Sequence, residues 1–310
     1  MLTFIFYKGE NKEHSEISED IKTKITTIKE VAVYNHERGS VDNMDMDDYI
    51  LCVVAGEMPA SFHIEALKAQ AISARTYTIY KSKHSGCTDT DKLADICTNS
   101  SHCQAYVSIE EMKENWGEDF QENYLKIKRA VDKTRGEVIV YSGDVIEVFY
   151  HASAGGMTED SGHVFSAQRP YLVSVDSGGE QDSRNYYSEE SFNYSQFIET
   201  LKSLDRDFEI DTDDIETQIT KPIRYDTGRV DTIMIGNKTF QGTKIRKAFG
   251  LKSTNFDIDV DKDEIVFSCI GFGHGVGMSQ NGANAMAKAG SGYIEILKHY
   301  FSGVDIINDY

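Results

Sequence analysis

Residues 45–81, DMDDYILCVVAGEMPASFHIEALKAQAISARTYTIYK, predict two helices joined by a short elbow, and no other stretch constrains the fold as much. Acidic residues open the first apolar run, where they favour a helix N-terminus, and Gly56 can end that helix in the left-handed conformation. Pro59 favours extended backbone at Met58, and Ser61 can cap the second helix. The many small residues of the second helix let another element approach closely, so we expect this helix to be buried.

Glu57 lies in this elbow, between Gly56 and Met58. A carboxyl group with apolar neighbours and little water has a raised pKa, and a value of about 6–7 suits a general acid. The alternative is a Glu that caps the following helix or points into solvent. We take Glu57 as the candidate catalytic residue.

The charge balance of the chain narrows the class of partner. The chain has 310 residues, 40% of them hydrophobic, and a formal net charge of −19, from 32 Lys and Arg against 51 Asp and Glu. Phosphate backbones require basic surface, so we expect no nucleic-acid partner. The acidity also disfavours anionic peptides and lipids and suits an uncharged polymer.

No run of 18 apolar residues occurs, so no segment is predicted to cross a bilayer.

Hydrophobic patterns predict an α+β fold of mixed helices and antiparallel hairpins. Two β-branched runs flank a Ser-Gly-Asp turn within 136–156, and alternation around Gly236 predicts a second hairpin at 229–242. The other predicted elements are strands at 30–34 and 264–272, a long polar loop at 82–104, and helices at 118–135, 192–204, 245–251, 280–289 and 292–301.

Composition also suggests how the chain divides. Residues 176–225 are acidic and rich in Ser and Asn, which indicates a smaller peripheral lobe. We expect the catalytic core to consist of residues 29–175 and 226–310. Residues 1–28 are charged and lack a hydrophobic pattern, so we interpret them as a linker or tail.

A Gly-rich segment, GFGHGVGMSQ at 271–280, follows a predicted strand and opens a predicted helix. It lacks the sixth-position Gly of a dinucleotide-binding turn and the Lys of a phosphate-binding loop. A tight turn that needs positive φ is the simpler explanation. Alternating glycines combined with His274 and Gln280 exceed what a turn requires, so we predict that this backbone lies close to a ligand.

A second small-residue turn, YHASAGGMTE at 150–159, has the same character. His151 and Ser153 lie on one face if the strand continues, but residues two apart rarely adopt base-to-hydroxyl geometry. No G-x-S-x-G motif is present, which disfavours serine hydrolysis. We expect a catalytic cleft between the main and peripheral lobes, with the elbow on one wall and the two Gly-rich turns on the other.

The loop sequence CTNSSHC, residues 97–103, offers thiolate and imidazole ligands for zinc. We predict Cys97 and His102 as ligands of a structural Zn²⁺, with Cys103 as the third. The alternatives are a disulfide of Cys87 or Cys97 with Cys103, or free thiols. The remaining two cysteines lie in apolar segments and are expected in the core.

Several of these blocks resemble, in the same order, the stage II sporulation protein D family, which also includes amidase-enhancer proteins. The matching blocks run from about residue 30 to the C-terminus, and the cysteine loop looks like that of clostridial members. The blocks are AGEMPASFHIEALKAQAISARTYTIYK, FYHASAGGMTED, YLVSVDS, GRVDTIMIGNKTFQGTKIRKAFGLKSTNF and GFGHGVGMSQNGA.

This resemblance implies a lytic transglycosylase that cleaves peptidoglycan strands between N-acetylmuramic acid and N-acetylglucosamine while the forespore is engulfed. The family's catalytic Glu corresponds to Glu57. It further implies a membrane anchor before residue 1, an extracytoplasmic location, and an amidase partner, stage II sporulation protein P, that first removes the stem peptides.

The chemistry agrees with a single carboxyl group. An ordinary glycosidase needs two carboxylates, whereas a lytic transglycosylase needs one, because the C6 hydroxyl of the sugar replaces water. We expect the sugar to be held by Gln280, His274, Ser153, His151 and Gln70. The alternative function is a non-catalytic, glycan-binding enhancer of a cell-wall amidase. A zinc hydrolase is disfavoured, since no H-E-x-x-H set is present.

Overall fold

The computed structural model describes residues 28–308 except 166, 185 and 263, so the predicted tail at 1–28 lies almost wholly outside it. The described chain is α+β, as predicted. Its helices are α1 (Met46–Glu57), α2 (Ile64–His84), α3 (Ile109–Trp116), α4 (Phe120–Lys133), α5 (Ser161–Val164), α6 (Tyr194–Leu204), α7 (Gly242–Phe249), α8 (Gln280–Lys288) and α9 (Tyr293–Tyr300).

The strands form several small sheets of two or three strands each. In chain order they are β1 (Glu30–Asn35), β2 (Ser40–Asp45), β3 (Ile96–Cys97), β4 (Glu137–Tyr141), β5 (Asp144–Val145), β6 (Tyr150–His151), β7 (Gly156–Met157), β8 (Asp176–Ser177), β9 (Tyr187–Asn193), β10 (Ile223–Arg224), β11 (Val230–Ile235), β12 (Lys238–Gln241), β13 (Phe256–Asp261), β14 (Glu264–Ile270), β15 (Met278–Ser279) and β16 (Asp305–Asn308). The sheets have the orders β2-β1-β3, β10-β11-β12, β13-β14-β9, β15-β6, β16-β4-β5 and β7-β8.

The helical elbow is present, but two of its predicted details are wrong. Gly56 is not left-handed, because α1 continues through Glu57 and stops at Met58, whose extended backbone is the one expected before a proline. The N-cap of α2 is His63 rather than Ser61, and its Nδ1 accepts from the Glu65 amide. A turn closed by the Phe62 amide on the Pro59 carbonyl displaces the helix start by two residues.

Gly56 instead allows a second segment of the chain to pack closely against the end of α1. A Cβ atom placed there would lie 3.0 Å from the Ala105 carbonyl carbon and 3.0 Å from the Tyr106 nitrogen. The missing side chain therefore lets the segment that follows the cysteine loop pass directly against the end of α1.

One of the two predicted hairpins is continuous. β11 and β12 pair antiparallel around Gly236, whose φ is 54°. β4 pairs with only two residues of the next run, and the predicted strand then breaks. Tyr150 and His151 pair in parallel with Met278 and Ser279, which brings the two Gly-rich segments together.

Two clusters of buried apolar side chains stabilise the fold. The first surrounds α2 with side chains from α1, α8, α9 and β4. The middle of α2 is buried, as expected. The second draws on residues 197–215 and 230–269. The division into a peripheral lobe at 176–225 and a core that resumes at 226 stays a prediction. None of the described helices is long and apolar enough to span a membrane.

Candidate active site

The Glu57 carboxyl group, at the C-terminal end of α1, contacts polar groups from three distant segments. Its Oε1 accepts a hydrogen bond from the Ala105 amide at 2.7 Å, and its Oε2 accepts from Gln280 Nε2 at 3.0 Å. The Tyr150 hydroxyl lies 3.5 Å from Oε1. These contacts fix the orientation of a carboxyl group that also lines an open pocket.

Burial raises the pKa of Glu57 above its ordinary value of 4.5, although the hydrogen bonds from Ala105, Gln280 and Tyr150 partly oppose this. Desolvation disfavours the charged form, while donors stabilise it. A carboxyl group that keeps its proton at higher pH and can be reached from a pocket is suited to general acid catalysis.

The raised pKa predicts how Glu57 affects stability. The folded protein binds this proton more tightly than the unfolded chain, so the stabilisation is complete below the ordinary pKa and is lost as the pH rises through the folded-state value. Glu57→Gln removes this titration. We expect the difference in melting temperature, variant minus wild type, to become more positive as the pH increases from 4 to 8. Thermal melts at several pH values would measure this difference. A constant difference would contradict the expected burial effect.

Behind Glu57 lies a buried hydrogen-bond network. The Tyr150 hydroxyl donates to Gln104 Oε1 at 2.7 Å. Gln104 Nε2 in turn donates to Thr78 Oγ1 at 3.1 Å and to the Tyr49 hydroxyl at 3.3 Å. The network ties the elbow, α2 and the end of the cysteine loop to one carboxyl group. Sequence reasoning missed Tyr150, Gln104 and Ala105.

The pocket beside Glu57 has a volume of about 880 Å³ and two chemically different walls. Pro59 and Phe62 form an apolar wall, while Gln280, Asn281 and Asn284 from α8 form a polar one. The lining residues are Glu57, Pro59, Phe62, Ala152, Gly179, Glu180, Asp182, Ser183, Arg184, Gln280, Asn281, Asn284, Ala285 and Lys288. Carbohydrates present both apolar faces and hydroxyl groups, so such a lining suits a sugar.

Of the predicted sugar-binding residues, the structure brings Gln280 alone to this pocket. Gln70 is fully buried on α2, and no described group hydrogen-bonds its amide. Ser153 is also buried, and its hydroxyl donates to Glu180. Neither residue lines the pocket.

The two predicted histidines lie together behind the Gly-rich turns. His151 is buried, and its Nδ1 lies 3.1 Å from the Val276 carbonyl oxygen. His274 Nδ1 accepts from the Val276 amide at 3.0 Å. Burial lowers the pKa of His151 well below 6.5 and that of His274 to about 4, so both rings are neutral near pH 7. Their contacts shape the 271–277 turn.

Glu180 is a second carboxyl group on the pocket wall that sequence reasoning missed. It is 1% exposed. It accepts hydrogen bonds from the Ser153 and Ser177 hydroxyls and from the Ala154 amide at 2.8 Å. With its oxygens engaged by buried donors, Glu180 anchors the turn at 153–155.

The cysteine loop holds a compact set of metal-ligating atoms. Cys87, Cys97, His102 and Cys103 each offer one atom, and all four lie within 4.8 Å of one another. His102 Nδ1 is 3.7, 3.4 and 3.2 Å from the sulfurs of Cys87, Cys97 and Cys103. A tetrahedral zinc places nitrogen and sulfur ligands about 3.6 Å apart, so the set fits a closed structural Zn²⁺ site. All five cysteines are unbridged.

Two further contacts connect this cluster with its surroundings. His102 Nε2 lies 2.9 Å from Thr88 Oγ1, the outer contact that orients a metal-ligating histidine. Cys103 directly precedes Gln104 and Ala105, which hold Tyr150 and Glu57. The two residues that contact Tyr150 and Glu57 therefore follow the cluster directly in the chain.

Comparison with known proteins identifies the class of protein to which this fold and site belong. A family model described as "Stage II sporulation protein" matches residues 34–141, which include the elbow and the cysteine loop. The chain is 35% identical over 284 residues to stage II sporulation protein D of Bacillus amyloliquefaciens, covering 90% of this chain and 80% of the relative.

A second stage II sporulation protein D, from Bacillus subtilis strain 168, is 34% identical over 295 residues, covering 95% of this chain and 83% of the relative. The chain therefore belongs to the stage II sporulation protein D family. The amidase enhancer of the same strain is 28% identical over 301 residues, covering 82% of this chain and 39% of that protein.

Proposed function

We propose that this protein is a lytic transglycosylase that cleaves peptide-stripped peptidoglycan strands between N-acetylmuramic acid and N-acetylglucosamine. The observation that carries the proposal is the Glu57 carboxyl group, which has a burial-raised pKa and two fixed N–H donors. It lies on the wall of a pocket with an apolar and an amide-lined face. The family membership supports a role in sporulation.

The proposed reaction uses one carboxyl group twice. Glu57 gives its proton to the glycosidic oxygen while the bond from that oxygen to C1 of N-acetylmuramic acid breaks. The C6 hydroxyl of the same sugar then attacks C1 and returns its proton to the Glu57 carboxylate. The products are a new sugar hydroxyl and a 1,6-anhydro end, no water is consumed, and Glu57 is restored.

The second buried carboxyl group of the pocket does not suit the nucleophile that an ordinary retaining glycosidase requires. The Glu180 oxygens already accept from two hydroxyls and a backbone amide. A carboxylate stabilised in this way is a weak nucleophile, which favours the single-carboxyl route. Gln280 and Ala105 keep Glu57 oriented through both proton transfers.

The proposed setting is the space between mother cell and forespore during engulfment. The protein would be anchored to a membrane there, and it would act beside the amidase stage II sporulation protein P. A structural Zn²⁺ bound by Cys87, Cys97, His102 and Cys103 would hold the cysteine loop against the active-site elbow. The metal would have no part in the bond cleavage.

Substrate choice provides a first test of the proposal. We expect the protein to cleave peptide-stripped strands at least about ten times faster than intact wall, and the amidase to restore cleavage when added to intact wall. Chromatography with mass spectrometry would show products lighter by one water than hydrolytic ones. Equal rates on stripped and intact strands would contradict the proposed order of action.

The similarity to an amidase enhancer favours a second candidate function, a glycan-binding enhancer without its own activity. In that case, the wild-type protein would bind stripped strands and stimulate an amidase but would release no fragments. Fragments with anhydro ends would eliminate this alternative.

A further inference from the structure

Two cations lie in the same pocket as Glu57. Arg184 belongs to the segment after Glu180, and Lys288 is the last residue of α8; both line the pocket and are exposed. Within the described part of the chain, neither side chain has a hydrogen bond or an ion pair. Their charges are therefore available to a ligand.

The acidic residues of the pocket do not cancel these charges through direct contact. Burial favours the neutral form of Glu57, and the Glu180 carboxylate is occupied by the donors of the 153–155 turn and Ser177. Asp182 is exposed and makes no salt bridge with Arg184 or Lys288. In a chain of net charge −19, this pocket thus offers two cations to an incoming anion.

The substrate of the proposed function, on which this inference rests, carries a suitable anion. N-acetylmuramic acid bears a lactyl ether, and in intact wall an amide bond joins its carboxyl carbon to the stem peptide. An amidase hydrolyses that bond with one water, leaving a free carboxylate on the sugar and an amine on the released peptide. Each disaccharide of a stripped strand therefore presents one carboxylate, at an atom that is uncharged in intact wall.

We propose that Arg184 and Lys288 bind the lactyl carboxylate of N-acetylmuramic acid and so select strands from which the peptide has been removed. A guanidinium can engage a carboxylate through two parallel hydrogen bonds, and an ammonium adds a compact charge. Selectivity then arises from local attraction between these two cations and the lactyl carboxylate. The net charge of −19 favours an uncharged polymer and does not by itself attract a strand that carries carboxylates.

The test measures strand binding in the Glu57→Gln background, so that it does not depend on cleavage. Two ligands are compared: stripped strands with free lactyl carboxylates, and the same strands after coupling of those carboxylates to methylamine. In this background, Arg184→Gln with Lys288→Gln should weaken binding of the free-carboxylate strands by about 10-fold, the scale of a charged hydrogen bond. Binding of the methylamide strands should change by less than about two-fold. Arg206→Gln with Lys244→Gln, two exposed cations outside the pocket, is the matched control.

The same comparison of variants and ligands distinguishes the results that support the inference from those that contradict it. Equal affinity of the double variant and its parent for free-carboxylate strands would overturn the inference, as would an equal loss for both ligands. In cleavage assays with Glu57 present, the double variant should raise KM for stripped strands about 10-fold with kcat nearly unchanged. Carboxylate-dependent binding without cleavage by the wild type would refute the transglycosylase proposal while leaving the inference in place.

Discussion

Replacing Glu57 with Gln is expected to lower strand cleavage by roughly 10²-fold or more, the scale of general acid–base catalysis. Gln keeps the size of the side chain and can still accept from the Ala105 amide. It has no proton to give to the glycosidic oxygen. Quantifying anhydro-ended fragments released from stripped strands would measure the loss, and a binding assay would show that the pocket still takes the strand.

Glu65→Gln is the matched control, since Glu65 lies close in sequence and on α2 but outside the pocket. Its carboxylate contacts Lys68 Nζ at 2.6 Å and accepts from the Tyr293 amide at 3.1 Å. Because it links α2 to α9 as well as favouring the helix N-terminus, we expect its loss to cost about 0.5–1.5 kcal/mol of stability and little activity. Cleavage that survives Glu57→Gln but not Glu65→Gln would move the acid to Glu65.

Disrupting the cysteine cluster should have the second large effect. A structural zinc site supplies binding energy on the order of 10 kcal/mol, so loss of one ligand through His102→Ala should lower the unfolding free energy by several kcal/mol. The melting temperature should then fall by about 10 °C, and elemental analysis should show less zinc per chain. Cleavage should fall as well, because Gln104 and Ala105 follow the cluster directly.

His84→Ala provides the comparison for the metal experiment, since this exposed histidine lies at the end of α2 and outside the cluster. It should leave zinc content and melting temperature nearly unchanged. Protein purified without zinc and with a disulfide between two loop cysteines, seen by mass spectrometry, would refute the metal site.

The elements that sequence predicted best depend on local signals. The elbow follows from acids at a helix start and a proline after its end, and the hairpin at Gly236 follows from alternation around a turn. Both signals involve residues that are only a few positions apart in the chain. The error at Gly56 concerns a residue against which Ala105 and Tyr106 pack, and a pattern confined to residues 45–81 contains no information about that segment. The error at Ser61 has a local cause, the turn closed by the Phe62 amide on the Pro59 carbonyl.

The candidate site was predicted only in part for the same reason. Glu57 and Gln280 were identified, but the Ala105 donor is a backbone amide, which any residue type supplies. In the sequence, Tyr150 and Gln104 have the features of ordinary strand and loop residues, and only the fold brings them into contact. Cys87 lies ten positions before Cys97, so spacing alone did not associate it with the zinc ligands. Ser153, His151 and His274 lie at the two Gly-rich turns but do not line the pocket. The Ser153 hydroxyl donates to Glu180, and the two histidine rings contact the Val276 backbone.

The parallel pairing of β6 with β15 has a consequence for how this chain acquires its function. Glu57 and Gln280 are separated by 223 residues, and closing so long a loop is entropically costly and slow. Domains tend to fold from the N-terminus as they are synthesised, so α1 and α2 can pack long before α8 exists. Until α8 docks, Glu57 lacks one of its donors and the pocket lacks its amide wall. The docking of α8 is therefore the step that completes the surroundings of the Glu57 carboxyl group.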